Sequence, residues 1–362
     1  MSERMVFAHL LRGIGSIFVL ISHYVGIFWI MHPDISNLMG APVISNFPHL
    51  TFPLNVIADY CIFFGQFGVG AFFILSGFVI PFSLKNTGTG EFLFRRAIRI
   101  YPVYIVGFSL AVMAIFILSY YTGSSFKYSI GDILAHFGVI TRAPMDVVRI
   151  DGISWTLEVE IYFYIIMAIA GSVILNFNVK GFFATTLLIA CICAYYLRGP
   201  EYLIGVQIGS GLLLLLGIAY YSFLSGKISR KNLILIELLI FISIMILWLA
   251  VTKRASYTIQ WMAGYLVAIS IFHIGFDLRK KIRTNSILSH FSDISYPLYV
   301  VHALFGYTIM YVLVDKGAGV YLAITTATIS SYLIAVMIHV FVEKPTMALS
   351  KSRGRTLFTS KP

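Results

Sequence analysis

Apolar runs of about 18–25 residues recur along nearly the whole chain, each long enough to cross a hydrocarbon core roughly 30 Å thick. Within that layer no water satisfies backbone N–H and C=O groups, so each run must be a helix. Ten such helices are expected, near residues 6–31, 56–81, 100–121, 153–175, 181–197, 202–224, 233–251, 258–276, 295–314 and 320–343. The predicted fold class is therefore an all-α integral membrane bundle. Composition agrees, since only 11% of the 362 residues are charged and 59% are hydrophobic, against about 25% charged in a soluble domain. The first run is too long for a signal peptide, carries Arg12 and His23, and has no small-residue cleavage site after it, so a retained helix is expected.

Basic residues set the orientation. With the N-terminus in the cytoplasm, 18 of the 26 Lys and Arg fall on the cytoplasmic side, among them Arg4, Lys85, Arg95, Arg96, Arg99 and Lys351, and 7 fall on the other. The positive-inside rule then places both termini in the cytoplasm. The formal charge of +11 is thus a matter of topology and headgroups, and no nucleic-acid partner is expected. A membrane domain at 1–345 and a short basic cytoplasmic tail at 346–362 are expected. A surface or re-entrant helix is expected near 131–140, in the longer 122–152 connection. Cys61, Cys191 and Cys193 have neither metal-site nor disulfide spacing, and no metal is expected.

Ionisable residues inside the runs are the candidates for chemistry, because charge at membrane depth is costly unless it faces a protein interior or a wet cavity. Arg12 and His23 stand eleven residues apart, which on an α-helix is about 20° around the axis and ~16 Å along it. They share a face. His23 suits a general base, with an interhelical hydrogen bond as the alternative. FLFRRAIRIYPVY at 92–104 carries Arg95, Arg96 and Arg99 just ahead of a helix start marked by Pro102. On a helical turn these form a guanidinium cluster, and forked donors bind phosphate well; ordinary topological charge is the competing reading.

SWTLEVEIYFYI at 154–165 carries Trp155, Glu158, Glu160 and Tyr164. Positions 158 and 160 lie 200° apart, so both carboxylates cannot face one site. Glu160 and His23 fall at similar depths below one surface, roughly 10–12 Å, where a carboxylate could hold the histidine in its tautomer. SYPLYVVH at 295–302 places Ser295, Tyr299 and His302 on one face, with His302 expected in the inner half, well below His23. Gly65, Gly68, Gly70, Ser76 and Gly77 suit close helix approach. His9, His273 and His339 are expected in interfacial or hydrogen-bonded roles.

These segments together resemble the acyltransferase-3 family, multi-span bacterial proteins that O-acylate envelope carbohydrates. Arg12-x10-His23, FFILSGF at 72–78, FRRAIRIYP at 94–102, WTLEVEIYFY at 155–164, SYPLYVVH at 295–302 and VEKP at 342–345 occur in that family's order, with Thr156 where Ser is commoner. The resemblance implies acetyl-CoA or a related acyl-CoA as co-substrate, a glycan or lipid-linked saccharide such as O-antigen, lipopolysaccharide or exopolysaccharide as acceptor, and the bacterial inner membrane as location. It implies His23 as base or transient acyl acceptor, Glu160 as its orienting carboxylate, and Arg12, Arg95, Arg96 and Arg99 as CoA-phosphate contacts. Trp155, Tyr164, Tyr299 and His302 are expected to bind substrate or support the site. A secondary transporter or flippase using Arg12, His23 and Glu160 as a pathway is the alternative from another class; inverted repeats with paired broken helices would favour it, and none is visible.

Overall fold

A computed structural model describes residues 6–84, 87–142, 144–252 and 255–350. Among them every regular element is helical, and ten helices are long and apolar enough to span a membrane. The spanning helices are α1 (Val6–Ile30), α4 (Cys61–Leu84), α5 (Thr89–Thr122), α7 (Ser154–Ile174), α8 (Val179–Arg198), α9 (Tyr202–Leu224), α10 (Arg230–Val251), α11 (Ala255–Asp277), α13 (Ser295–Asp315) and α14 (Val320–Ser350). Short helices fill the connections: α2 (His32–Met39), α3 (Leu54–Asp59), α6 (Ile130–Phe137) and α12 (Ser286–Asp293). The expected basic tail lies, from residue 351 onward, outside the described residues, as do Arg4 and Lys85.

Three helix limits differ from expectation for a common reason. Proline removes one N–H and tends to kink a helix, yet a membrane helix tolerates it because its neighbours restore the lost contacts. Pro102 therefore does not start a helix but lies inside α5, which runs 34 residues and takes in Arg95, Arg96 and Arg99. Pro81 lies inside α4, and α14 continues past Pro345. The second span starts at Cys61 rather than at 56, because the chain breaks at Tyr60 after the short α3.

By contact the chain divides into two units, each drawn from three stretches of the sequence, with boundaries inside α1, α4, α5, α7 and α12. The first takes residues up to 15, 62–94 and 158–292. Its packing depends on missing side chains. A Cβ on Gly77 would run into the Leu214 carbonyl, and one on Gly217 would meet the backbone of Ile74 and Phe78, so α4 and α9 touch backbone to backbone, as small residues allow in membrane bundles. Phe7 and Phe78 each meet Phe272 and Phe276 edge to face, with ring centroids 5.4–6.1 Å apart.

Between α9, α10 and α11 the same unit holds a charged network. Arg230 grips Asp277 with both terminal nitrogens, at 2.8 and 2.6 Å. His273 Nδ1 lies 2.8 Å from both Glu237 Oε2 and Tyr220 Oη, and its Nε2 lies 3.1 Å from Arg230. His273 is thus tied into hydrogen bonds, as expected, and so are His9, with Ser292 at 2.9 Å, and His339, in the second unit, with Glu343 at 2.7 Å.

The second unit takes residues 16–61, 95–157 and 293 onward. Outside its spans, the loops are tied by tyrosine and lysine: Tyr128 Oη donates to the Leu38 carbonyl at 2.5 Å, Lys127 Nζ to that of Asn37 at 2.7 Å, and Tyr311 Oη to that of Pro42 at 2.7 Å. Burial, aided by Asp151 and Asp132, pushes the Tyr128 phenol up to about 12. The expected helix near 131–140 is α6, closed by a capping box in which Ser129 and Asp132 satisfy each other's backbone. The Ser129 backbone N–H and hydroxyl hold the Asp132 carboxyl below its ordinary value.

Candidate functional site

Inside the second unit α1 departs from α geometry. Residues Ser22–Ile27 form a π-turn, a local widening frequent at functional sites, and His23 lies in it. The turn is locked on one side, where Ser22 Oγ donates to the Cys61 carbonyl at 2.6 Å and Gly26 packs so closely on Cys61 that a Cβ would overlap it. Tyr24, on the other side, is 1% exposed. Its hydroxyl reaches the His302 carbonyl at 2.7 Å and Ser331 Oγ at 2.6 Å. That reach requires residue 306 to be glycine, because a Cβ there would collide with the Tyr24 phenol.

His23 itself is half-buried. Its Nδ1 lies 2.5 Å from Tyr307 Oη, and its ring stands edge-on to His302 with centroids 4.6 Å apart. In the tautomer whose Nδ1–H donates to the phenol oxygen, Nε2 carries the free lone pair and is the basic atom. The expectation that His302 lies well below His23 is therefore corrected. In the first unit, a Cβ on Gly13 would meet Leu288 and Ser292, and His9 bonds Ser292, so α12 packs beside α1 some way along its length. In the second unit Tyr24, one residue on from His23, reaches the His302 carbonyl and draws the two helices together at that level, so the rings meet.

Tyr299, on the same face as His302, joins its hydroxyl to Thr156 Oγ1 at 2.6 Å and to the Ile153 carbonyl at 3.2 Å. It ties α13 to the start of α7, where Trp155 is half-buried. Glu160 belongs to the first unit, where Ser76 Oγ donates to it at 3.2 Å and Tyr164 Oη donates a short hydrogen bond. Glu158, on the opposite face, is buried and accepts from Gln207 Nε2 at 2.8 Å, so the two carboxylates do face different neighbours. Arg95, Arg96 and Arg99 are half-buried along α5, with Arg95 and Arg99 one turn apart on a shared face. Arg12 is half-buried in the first unit. Among the described residues no cluster of His, Cys, Asp and Glu could hold a metal ion.

The sequence reading missed Tyr24, Gly306, Tyr307 and Ser331. Two tyrosines deep in apolar runs were the available signal, since a buried phenol needs a hydrogen-bond partner.

Compared with known families, the chain matches the acyltransferase-3 family, described as an acyltransferase domain, over residues 5–340. It belongs to that family. His23, Tyr24, His302, Tyr307 and Ser331, and all four candidate arginines, fall within the matched span. A similar curated protein is nodulation protein 10 of Rhizobium leguminosarum bv. viciae, 28% identical over 139 residues. That match spans 33% of this chain and only 37% of the relative. No solved structure matches.

Proposed function

We propose that this acyltransferase moves an acetyl group from acetyl-CoA to a hydroxyl of a cell-surface or lipid-linked glycan, in the bacterial inner membrane and with both termini in the cytoplasm. The observation that carries the reading is His23: a half-buried imidazole within a membrane-spanning helix, set in a π-turn and held at Nδ1 by a phenol, within a chain of acyltransferase family. Nε2 takes the proton of the acceptor hydroxyl as its oxygen attacks the thioester carbonyl. The C–S bond breaks, and the thiolate leaves with the proton that the imidazolium returns. A neutral histidine suits this better than a charged one, because the lone pair does the work.

Arg96 and Arg99, with Arg95 and Arg12, are proposed to bind the CoA phosphates through forked donors that a lysine ammonium does not reproduce. Glu160 is proposed to balance the imidazolium charge, with Ser76 and Tyr164 fixing its carboxylate. The test uses the full chain in lipid nanodiscs with radiolabelled acetyl-CoA and an envelope glycan extract. Label should enter the glycan with stoichiometric CoA release, and Arg96→Lys or Arg99→Lys should each weaken CoA binding roughly tenfold or more. Thioester turnover that never depends on added glycan would overturn the acceptor, and full CoA affinity in both lysine variants would reduce the cluster to a topology signal.

A further inference from the structure

Against His23 stands a second imidazole whose tautomer is fixed by its surroundings. His302 Nδ1 lies 2.8 Å from the Tyr299 carbonyl oxygen and 3.2 Å from that of Leu298. Carbonyl oxygens only accept, so Nδ1 carries the hydrogen and, in the neutral ring, Nε2 carries the lone pair on the side away from those carbonyls. The residue is 1% exposed. Its Nε2 is buried and has no hydrogen-bond partner among the described residues.

Nearby phenols do not supply one. Tyr24, 6.4 Å away between ring centroids, is committed to the His302 carbonyl and Ser331. Tyr299, at 5.6 Å, is committed to Thr156 and Ile153, and Tyr307 lies on His23. A buried acceptor left unmet is unfavourable and uncommon in native structures. This one lies beside the imidazole assigned to chemistry.

We propose that His302 Nε2 is a preset hydrogen-bond acceptor for an O–H or N–H of the substrate held against His23. The inference rests on the acyltransferase reading. It deepens that reading by giving the site a second point of attachment, one that orients the substrate while His23 handles the proton. The donor is either a hydroxyl of the acceptor or an amide N–H of the pantetheine arm; both are neutral donors of the same class.

The test is nitrogen NMR on the full chain, labelled at histidine and held in nanodiscs, with acetyl-CoA and a methyl glycoside added separately and site occupancy followed by calorimetry. The bare Nε2 resonance of His302, identified by its loss in His302→Gln, should move upfield when the donor arrives. Movement with acetyl-CoA assigns the pantetheine amide, and movement with the glycoside assigns the acceptor hydroxyl. His302→Phe, which keeps the ring but drops the lone pair, should weaken the responsible probe about tenfold. His302→Gln, which keeps an acceptor, should recover most of that loss. A probe that saturates without moving the resonance, or equal affinity in the folded Phe variant, overturns the assignment while leaving the acyltransferase reading intact. If acetyl-CoA does not bind at all, that reading fails, and the inference fails with it.

Discussion

The two units each enclose a histidine in a polar network, and the networks are built on opposite principles. Around His273 the neighbours are charged: Arg230, Asp277 and Glu237 surround it, both ring nitrogens are engaged, and the Arg230–Asp277 pair is a bidentate clamp. Around His23 the partners are neutral: the Tyr307 phenol and the His302 imidazole, whose own Nδ1 faces backbone carbonyls and whose Nε2 is left unmet. A saturated ionic network has nothing to offer a substrate and serves to fasten helices. A neutral network with an unused lone pair can accept a proton or a donor, and its cost in the resting state is regained when a substrate fills it.

The sharpest way to break this contrast is to exchange the fates of the two histidines. His23→Ala should lower acyl transfer by about 10²–10⁴-fold, the usual worth of a general base, with membrane abundance unchanged. His273→Ala should leave the turnover of the folded fraction at the parental level and instead cost about 1 kcal/mol of stability, because Glu237 and Tyr220 lose a half-buried partner. The measurement is glycan acylation per unit of folded protein alongside thermal unfolding. Near-normal acylation in His23→Ala would make His23 a structural tie like His273.

A smaller effect is expected at Gly306. Gly306→Ala would press a methyl onto the Tyr24 phenol and release it from the His302 carbonyl and Ser331, at an overpacking cost of about 1–3 kcal/mol. Activity should fall together with stability here, because the displaced group supports the site; unfolding curves and acylation rates that move independently would argue otherwise. In the ionic network Arg230→Lys should change stability by only about 0.2–1 kcal/mol, since both partners are over a third exposed and water screens the pair. A loss several times larger would mean that the clamp carries more than its exposure allows.

The smallest effect lies outside both networks. Asp132 is held below its ordinary value in the folded chain by Ser129, so the α6 cap contributes fully above the usual carboxylate range and is lost as pH falls through the lowered value. Amide protection over 130–137 should therefore decline in acid, and more gently in Ser129→Ala, where part of the cap is already gone. Protection that is flat across that range would show the cap to be idle.

Much of the architecture was legible because it follows from solvent. Ten runs long enough to span a bilayer give ten helices, and small residues such as Gly70 and Gly77 mark where those helices approach. Helix limits at Pro102 and Pro345 were misplaced, since the rule that proline ends helices comes from chains surrounded by water. His302 was placed well below His23 because the spacing within each span does not reveal the level at which α1 and α13 meet, which Tyr24 sets by reaching the His302 carbonyl. Tyr307 and Tyr24 went unseen for a similar reason: their partners are 284 and 278 residues away along the chain, and no local pattern encodes that.

The π-turn at Ser22–Ile27 has an evolutionary reading. A helix that closes one turn with five residues in place of four carries, in effect, a single-residue insertion that the fold absorbed without breaking. Everything before Ser22 keeps its register, Arg12 included, while everything after it is rotated by about 100° relative to an uninterrupted helix. A chain without that residue would keep the arginine's face and turn Trp29 elsewhere. The extra residue in this six-residue segment therefore decides which face of α1 Trp29 presents relative to Arg12.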